Sequence, residues 1–352
     1  NKNYRELYKQ SKKFKVKNLI ITNKKSYSAL LKINKNKKIK IYNNFNQLKK
    51  IFKIKADYIM SSIVGIEGLK PTLNVIRHTK TIAIANKESI ICAWNLIKNE
   101  LKKYKTEFIP VDSEHFSIWY ALRSIDKKLI DKIYITASGG PFLNLPLNKL
   151  KKANIKQAIN HPNWRMGKKI SVDSATMMNK VFEIIEAKKI FNIPYKKISI
   201  LVHPKSYVHA IIKFKNGLTK LVVHDTNMKI PIANSLYSSS RFINSKKLDF
   251  KILNNMNFKE IDKNRFPVTK ILNILPEKSS LFENILVSSN DKLVEFFLNK
   301  KIKFTDIQKI LFKIINLEEF KKLKSKKSNR LKEIINLDKI VNNKINKIVY
   351  KH

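Results

Sequence analysis

The first third of the chain combines two spacings of apolar residues. Compact apolar runs occur at "KNLIIT" (17–22), "ADYIMSSIV" (56–64) and "KTIAIA" (80–85), and the nearby segments "YRELYKQ" and "FNQLKKIF" have helical spacing. Strands that alternate with helices are typical of a parallel sheet with helical crossovers. We therefore predict an α/β domain over residues 1–105.

The middle of the chain has a different pattern. "TEFIPV" and "KIYITAS" are predicted strands, and "SVDSATMMNKVFEIIEAKKIF" (171–191) is predicted as one helix with Asp173 or Ser174 as its N-cap. In "HAIIKFKNGLTKLVVH" (209–224), Asn216-Gly217 separates two apolar runs, which is a strong hairpin signal. Residues 106–240 are therefore predicted to form an α+β domain with antiparallel strands.

The last third is predicted to be helical after a linker. Residues 241–265 are polar and irregular, and helical spacing continues from 266 to 352. In "FTDIQKILFKIINL", Thr305 and Gln308 have the spacing of a capping box. No apolar run approaches the roughly 18 residues that a membrane-spanning helix needs, so we expect no membrane partner.

Charge changes this picture little. The 352 residues include 73 Lys and Arg against 26 Asp and Glu, a formal net charge of +47, with only 6 Gly. The excess is Lys and is spread along the whole chain, as an AT-rich coding sequence would produce. We interpret it as solvated surface lysine rather than a nucleic-acid-binding groove. The one cysteine, Cys92, excludes an internal disulfide and fits a reducing compartment.

Two acids in "PVDSEH" (110–115) are the first candidates for chemistry. If this segment is an extended strand, Asp112 and Glu114 point the same way and repel each other. A hard divalent cation resolves the repulsion, and Glu183 in "NKVFE" offers a third carboxylate. The alternatives are a solvated acidic pair at a strand end and an exposed Lys180–Glu183 pair.

Three further segments have both a functional and a purely structural interpretation. Ser138-Gly139-Gly140 in "TASGGPF" is either an anion site or a plain glycine turn. The loop "HPNWRMG" (161–167) is either a lid or a loop whose Trp164 packs on a neighbouring domain. Lys87 follows a predicted strand and is either a ligand-binding or a solvated lysine. Four further histidines are interpreted as structural: His115, His203, His209 and His224.

Taken in order, these segments resemble one family. "ANKES", "PVDSEH", "SGGPF", "HPNWRMGKKISVDSATMMNK" and "HPKSYVHA" are similar to motifs of the 1-deoxy-D-xylulose 5-phosphate reductoisomerase family. The resemblance runs from the first residues to about 315 and is densest over 81–240. It implies a Rossmann-like NADPH-binding domain (1–105), a catalytic domain (106–240), a linker (241–265) and a helical domain (266–352). It also implies a homodimer, and we expect a bacterial cytoplasmic protein.

The resemblance further implies a reaction. Family members rearrange 1-deoxy-D-xylulose 5-phosphate by a retro-aldol/aldol type of step and reduce the product with NADPH to 2-C-methyl-D-erythritol 4-phosphate, using Mg²⁺, Mn²⁺ or Co²⁺. The implied metal ligands are Asp112, Glu114 and Glu183. The implied catalytic residues are Lys87, Glu114, His161 and Trp164. The implied substrate-binding residues are Ser113, Glu114, Ser138, His161, Ser174, Asn179, Lys180 and Glu183. The implied cofactor-binding residues are Lys2, Asn3, Asn86, Lys87, Glu88, Gly167 and Met228.

The sequence departs from the family pattern at its start. The family opens with a strand and a turn of the form G-x-T-G-x-x-G, whereas "NKN" (1–3) aligns with a segment after the second strand. We therefore expect the first βα unit to lie outside these 352 residues. Val181 replaces a glycine that is usual in the family, and "SSND" (288–291) replaces the usual "AANE". The alternatives to an active enzyme are a degenerate, inactive homologue and a basic nucleic-acid-binding protein.

Overall fold

A computed structural model describes residues 2–35, 38–237, 243 and 245–350, so that 241, 242 and 244 of the predicted linker lie outside it. Helices and strands alternate over the first third of the chain. Their bounds are α1 Tyr4–Lys13, β1 Asn18–Ile20, α2 Lys24–Ile33, β2 Lys40–Tyr42, α3 Leu48–Ile51, β3 Ala56–Ser61, α4 Leu69–Ile76, β4 Thr79–Ile84 and α5 Lys87–Tyr104. Asn3, Asn23 and Asn86 start helices α1, α2 and α5 by accepting a backbone N–H three residues on.

The predicted parallel pairing is confirmed. β1 pairs with β2, and β3, β4 and β5 (Glu107–Pro110) form a second sheet, with all these pairs parallel. The sequence-based boundary at residue 105 assigned "TEFIPV" to the central domain, whereas the structure places this strand in the N-terminal sheet. The functional side chains that follow β5 therefore lie at the carboxyl edge of a parallel sheet, where ligands bind in such folds.

The central part is built on a mixed sheet. Its elements are α6 Ser113–Ala121, β6 Ile130–Ala137, α7 Ile155–Ile159, α8 Lys168–Thr176, α9 Met178–Phe191, β7 Ile198–Val202, β8 Val208–Phe214, β9 Thr219–Val223 and α10 Lys229–Leu236. The hairpin prediction is confirmed, because β8 and β9 pair antiparallel across a turn in which Gly217 has a φ of 87°. β6 joins the hairpin to β7, with which it is parallel.

The prediction of one helix over 171–191 is wrong. Helix α8 begins after Gly167, and α9 begins after Met177, whose φ of 69° is left-handed. The Met177 N–H bonds to the Ser174 carbonyl, and this tight turn redirects the chain. No glycine or proline occurs at the break, so the sequence pattern did not indicate that the helix ends there. The turn directs Ser174 from α8 and Asn179 from α9 toward the same space.

The last third is mainly helical, and the described part of the predicted linker contains a short helix and a short strand. Its elements are α11 Phe250–Asn254, β10 Lys259–Glu260, α12 Phe282–Leu298, α13 Phe304–Ile315, α14 Glu318–Lys321 and α15 Leu331–Tyr350. Strand β10 pairs antiparallel with β7, so part of the predicted linker contacts the central sheet. The N-cap of α13 is Lys303, whose N–H bonds to Asp306 at 2.9 Å, and Thr305 lies inside the helix. None of the described helices is long and apolar enough to cross a membrane.

One apolar core joins the central sheet to the C-terminal helices. Ile133 and Ile212 from the sheet, Phe182 from α9, and Phe282 and Leu311 from the C-terminal helices belong to the same buried cluster. A separate small cluster around Leu19 and Leu30 supports the first two strands. Helix α9 thus has its apolar side fixed by the main core, and its polar residues are held rigidly at the base of a cavity.

Candidate active site

A cavity of about 350 Å³ lies where the N-terminal sheet, the central sheet and helices α8 and α9 meet. It is lined by all the residues that the resemblance implied except Lys2, Asn3, Asn86 and Glu88. The residues in its wall come from the 160–167 loop and from β3, β4, α5, α6, β6, α8, α9, β8 and α10 or their adjoining turns. The fold therefore gathers residues that are far apart in the sequence into one space.

Three carboxylates form one end of the cavity. Asp112 is the N-cap residue of α6, Glu114 lies in the first turn of that helix, and Glu183 projects from α9. Each offers an oxygen that lies within 4.8 Å of the others. The extended strand assumed in the sequence analysis is therefore wrong, because β5 ends at Pro110. The carboxylates converge through a helix start rather than through the alternation of a strand.

Two buried lysines lie among these acids. The Lys87 Nζ is 2.8 Å from Asp112 Oδ2, 2.7 Å from Asn179 Oδ1 and 3.4 Å from Glu183 Oε1. The Lys180 ammonium bridges Glu114 and Glu183, and Asn179 also donates to Glu183. Lys87 is therefore not a solvated lysine, and the Lys180–Glu183 pair is not an exposed helical pair.

Three carboxylates against two lysine ammonium groups favour the binding of a cation at this end. Burial raises the pKa of Glu183 to about 8, and the charge of Glu114 adds to the shift. Burial also disfavours the Glu114 carboxylate, but Lys180 and then His209 outweigh it and hold the pKa of Glu114 below its usual value. Three oxygen ligands from two elements, one of them poorly neutralised, fit a hard divalent cation such as Mg²⁺.

The opposite end of the cavity carries hydrogen-bond donors. His161 Nδ1 accepts the backbone N–H of Asn163 at 3.1 Å and of Trp164 at 3.0 Å, so the ring proton of the neutral form lies on Nε2. Burial, and then the charge of Lys180, lowers the pKa of His161 to about 4, which keeps the ring neutral. Nε2–H then donates to Ser138 Oγ at 2.9 Å, and the Ser138 hydroxyl proton is available to an anion.

The glycine turn brings this hydroxyl close to helix α8. Gly139 and Gly140 have φ values of 86° and 68°, and a Cβ on Gly140 would lie 2.7 Å from the Ser174 carbonyl oxygen. Only glycine allows both the left-handed backbone and the close approach to α8. The Gly140 N–H donates to Ser138 Oγ at 3.0 Å. The turn thus serves the anion-binding arrangement rather than being an alternative to it.

The loop over residues 160–167 lies across the cavity. The Asn163 side chain donates to the Pro204 carbonyl at 2.6 Å and to Ser206 Oγ at 2.8 Å, which attaches the loop to the β7–β8 connection. Trp164 lines the cavity, and its ring meets His209 edge-on with centroids 6.0 Å apart. Both interpretations of Trp164 therefore hold in part, since it packs on a neighbour while covering the cavity.

The structural interpretation holds for two of the four histidines and not for His209. His115 bonds to the Glu183 carbonyl at 2.8 Å and His203 to the Asn257 carbonyl at 3.1 Å, as structural histidines do. His209, in contrast, lines the cavity and stacks on His224 at a centroid distance of 3.5 Å. Sequence reasoning also assigned no role to other wall residues, which carry no local signal: Ser62, Thr136, Arg165, Ile170 and Ser206.

The four implied residues outside the wall have other contacts. Asn3 caps α1, and the Lys2 carbonyl accepts a hydrogen bond from Ser26. Asn86 caps α5 and donates to the Gly65 carbonyl at 2.9 Å, and Glu88 pairs with Lys169 at 2.6 Å. A second cavity of about 440 Å³ opens beside β1 and β2. Ile63 lines the second cavity while Ser62 and Val64 line the first, so the two are neighbours.

Family models match most of the chain. The model described as 1-deoxy-D-xylulose 5-phosphate reductoisomerase matches residues 1–94. A model of the C-terminal domain of the same enzyme matches 108–191, and a second model, described as the DXP reductoisomerase C-terminal domain, matches 224–344. The three matched regions together include every residue of the three-carboxylate group.

Curated and solved proteins agree with the family models. The chain is 61% identical to the 1-deoxy-D-xylulose 5-phosphate reductoisomerase of Pelagibacter ubique over 98% of this chain and 90% of that protein. It is 38% identical to the enzyme of the same name from Sulfurihydrogenibium sp., over 82% of this chain and 76% of that protein. The Zymomonas mobilis enzyme in complex with NADPH superposes with a TM-score of 0.86 at 30% identity, over 99% of this chain and 90% of that chain. A DOX-P reductoisomerase in complex with NADPH, fosmidomycin and magnesium superposes with a TM-score of 0.90 at 30% identity, over 99% of this chain and 90% of that chain. The chain therefore belongs to the 1-deoxy-D-xylulose 5-phosphate reductoisomerase family.

Proposed function

We propose that this protein converts 1-deoxy-D-xylulose 5-phosphate into 2-C-methyl-D-erythritol 4-phosphate, with NADPH and a divalent cation, in isoprenoid biosynthesis. The observation that carries the proposal is one cavity that holds three carboxylates at one end and anion donors at the other. A degenerate homologue is not favoured, because the side chains of both ends are present and face the same space. Diffuse lysine likewise gives no support to nucleic-acid binding.

We assign the cation to Asp112, Glu114 and Glu183, whose oxygens lie within 4.8 Å of one another. These three carboxylates would hold a cation such as Mg²⁺, whose chemistry would be that of a Lewis acid toward the substrate's ketone and neighbouring hydroxyl oxygens. Lys87 contacts both Asp112 and Glu183, so its ammonium orients the ligand set and lies close to the bound oxygens. Mn²⁺ and Co²⁺ suit the same oxygen ligands.

We assign the phosphate of the substrate to the opposite end. Ser138 offers a hydroxyl proton there, and Ser174 lines the same cavity. The Asn179 amide and the Lys180 ammonium, which also contact the carboxylates, complete the proposed phosphate contacts. Contacts to a phosphate remote from the reacting bonds supply binding energy that orients the carbon skeleton. Ser113 and Glu114 complete the substrate contacts near the carboxylates, and Trp164 excludes water by covering the skeleton.

We place the nicotinamide end of the cofactor against Met228 and Gly167, which line the main cavity. NADPH supplies the hydride for the reduction. The neighbouring second cavity beside β1 and β2 offers room for the remainder of the cofactor, at the edge where parallel sheets bind nucleotides. Four residues outside the wall of the main cavity remain predicted cofactor contacts: Lys2, Asn3, Asn86 and Glu88. They would contact the cofactor through their backbone or from outside that wall.

We further propose three functional parts and a homodimer. Residues 1–105 bind the cofactor, 106–240 carry the metal and substrate site, and 266–352 form a helical part joined through 241–265. Strand β9 is an edge of the central sheet, and Leu218 and Leu221 beside it are 66% and 44% exposed. Exposed apolar edge strands pair readily with another chain, so a second copy is the proposed occupant. The relatives are bacterial, and we propose a bacterial cytoplasmic location.

The dimer has a direct test. We expect sedimentation equilibrium to give twice the 41.2 kDa chain mass, and Leu221→Asp to shift the protein toward a monomer because it places a charge at the interface. Leu31→Asp is the matched control, since Leu31 is 46% exposed and lies on α2 in the N-terminal part. A wild type of single-chain mass at micromolar concentration contradicts the dimer.

The activity is tested by following NADPH oxidation. We expect oxidation only when the sugar phosphate and a divalent metal are both present. Chelation should stop the reaction, and added Mg²⁺ should restore it, because the three carboxylates alone do not polarise the ketone. Oxidation that continues after chelation contradicts the metal assignment, and absence of oxidation with every component present contradicts the function.

A further inference from the structure

A second cluster of buried charges lies outside the cavity. The Lys169 Nζ is 2.6 Å from Glu88 Oε1, 3.1 Å from Asp173 Oδ2 and 2.8 Å from Asp291 Oδ1. Asn290 also donates to Asp173 at 2.7 Å. The Glu88 and Asp173 side chains are 8% and 2% exposed, whereas those of Lys169 and Asp291 are each 28% exposed, so the cluster is partly shielded from water. Apart from the predicted cofactor contact of Glu88, the reaction described above makes no use of this cluster.

The cluster joins three parts of the fold at one ammonium group. Glu88 belongs to α5 and follows Lys87, Lys169 and Asp173 belong to α8, and Asp291 belongs to α12. The Lys169 ammonium also lies 5.6 Å from the centroid of the Phe182 ring on α9. A single side chain therefore ties α8 to the N-terminal, central and C-terminal helices.

Helix α8 is the element through which this attachment reaches the active site. It begins directly after the loop that carries His161, Trp164 and Gly167, and it carries Ser174 five residues beyond Lys169. The opposite end of the attachment, Glu88, adjoins Lys87 at the carboxylate end. The distance between the phosphate-side residues and Lys87 is therefore set partly by the Lys169–Glu88 pair.

We propose that Lys169 is a positioning residue, which fixes the covering loop and Ser174 relative to Lys87 so that the phosphate end of the cavity has the correct geometry. This inference rests on the proposed function. It predicts an effect on the phosphate side only, because the three carboxylates belong to α6 and α9 and have no contact with Lys169 among the described ion pairs. A merely stabilising cluster would instead lower stability and leave ligand affinities alone.

The test compares Lys169→Met with Lys168→Met. Lys168 is the preceding residue of the same helix and is exposed, so both variants remove one positive charge at the same place. For Lys169→Met we expect the KM and the calorimetric Kd for the sugar phosphate to rise about 10-fold, since misplacement of a binding group by a fraction of an ångström has effects of this order. The Mg²⁺ concentration for half-maximal rate should stay within about 2-fold. Lys168→Met should match the wild type in every measurement, and Lys169→Arg should recover most of the lost affinity.

A second variant covers the case in which Lys169→Met does not fold. Asp291→Asn removes the ion pair between Lys169 and α12, keeps the Asn290–Asp173 hydrogen bond, and relieves repulsion among three acids around one lysine. We expect an unchanged or higher melting temperature together with a KM about 3-fold higher, a combination that a purely structural cluster does not produce. Unchanged KM and Kd in folded Lys169→Met, or in Asp291→Asn, overturns the inference. A wild type without turnover counts instead against the proposed function.

Discussion

Glu183→Gln is expected to reduce kcat by about 10³-fold, because it removes one of three cation ligands while keeping the size of the side chain. The free energy of unfolding should change by no more than about 1 kcal/mol, since a neutral amide avoids the cost of burying a charged carboxylate. That cost is the reason why burial raises the pKa of Glu183. Turnover is measured by NADPH oxidation at saturating Mg²⁺, and stability by urea unfolding.

The control for this variant is Glu318→Gln. Glu318 lies in α14 and pairs with Lys321 at the surface, so the same chemical change there should leave kcat and stability unaltered. Metal affinity, followed by titration with Mn²⁺, should fall in Glu183→Gln and stay constant in the control. Near-normal turnover by Glu183→Gln would show that the three carboxylates do not form the metal site.

Lys180→Met is the second variant with a large expected effect. Its ammonium bridges Glu114 and Glu183, and it lines the wall that we assign to phosphate. Removal leaves two buried carboxylates without their shared partner, so the metal-free protein should lose about 3 kcal/mol of unfolding free energy. The kcat/KM for the sugar phosphate should fall by about 10²-fold or more, through the loss of a charged hydrogen bond to the substrate.

Lys188→Met is the matched control for Lys180→Met. Lys188 lies on the same helix α9 and pairs with Glu277, whose side chain is 59% exposed. The variant should change stability by less than about 1 kcal/mol, because exposed ion pairs contribute little. Saturating Mg²⁺ should restore part of the stability that Lys180→Met loses, since the cation neutralises the same two acids. Equal stability of both variants without metal contradicts this electrostatic account of the site.

Local signals predicted the elements in which one spacing or one turn dominates. The parallel strands β3 and β4 and the hairpin at Asn216-Gly217 follow from short apolar runs and a turn that requires glycine. The break at Met177 and the helical position of Glu114 did not follow, because neighbours that are distant in sequence impose them. Helical spacing on both sides of Met177 concealed its left-handed backbone.

The candidate site divides in the same way. Motifs identified the carboxylates, the serine before the glycine turn and the tryptophan of the covering loop, because these are contiguous strings of residue types. His209 was interpreted as structural, because alternation in a strand does not show which cavity a side chain enters. Lys169 had no signal, since its three partners lie on three different helices.

The sequence by itself determined the family, the chemical types of the active-site residues and their order, because these are properties of local segments. Only the tertiary structure decided the distances on which function depends. Asp112 and Glu114 meet Glu183 because β5 ends before α6 and because the turn at Met177 aims α9 into the cavity. The physical reason is that cation binding requires oxygens within a few ångströms, and only packing of the shared apolar core holds separate helices at such distances.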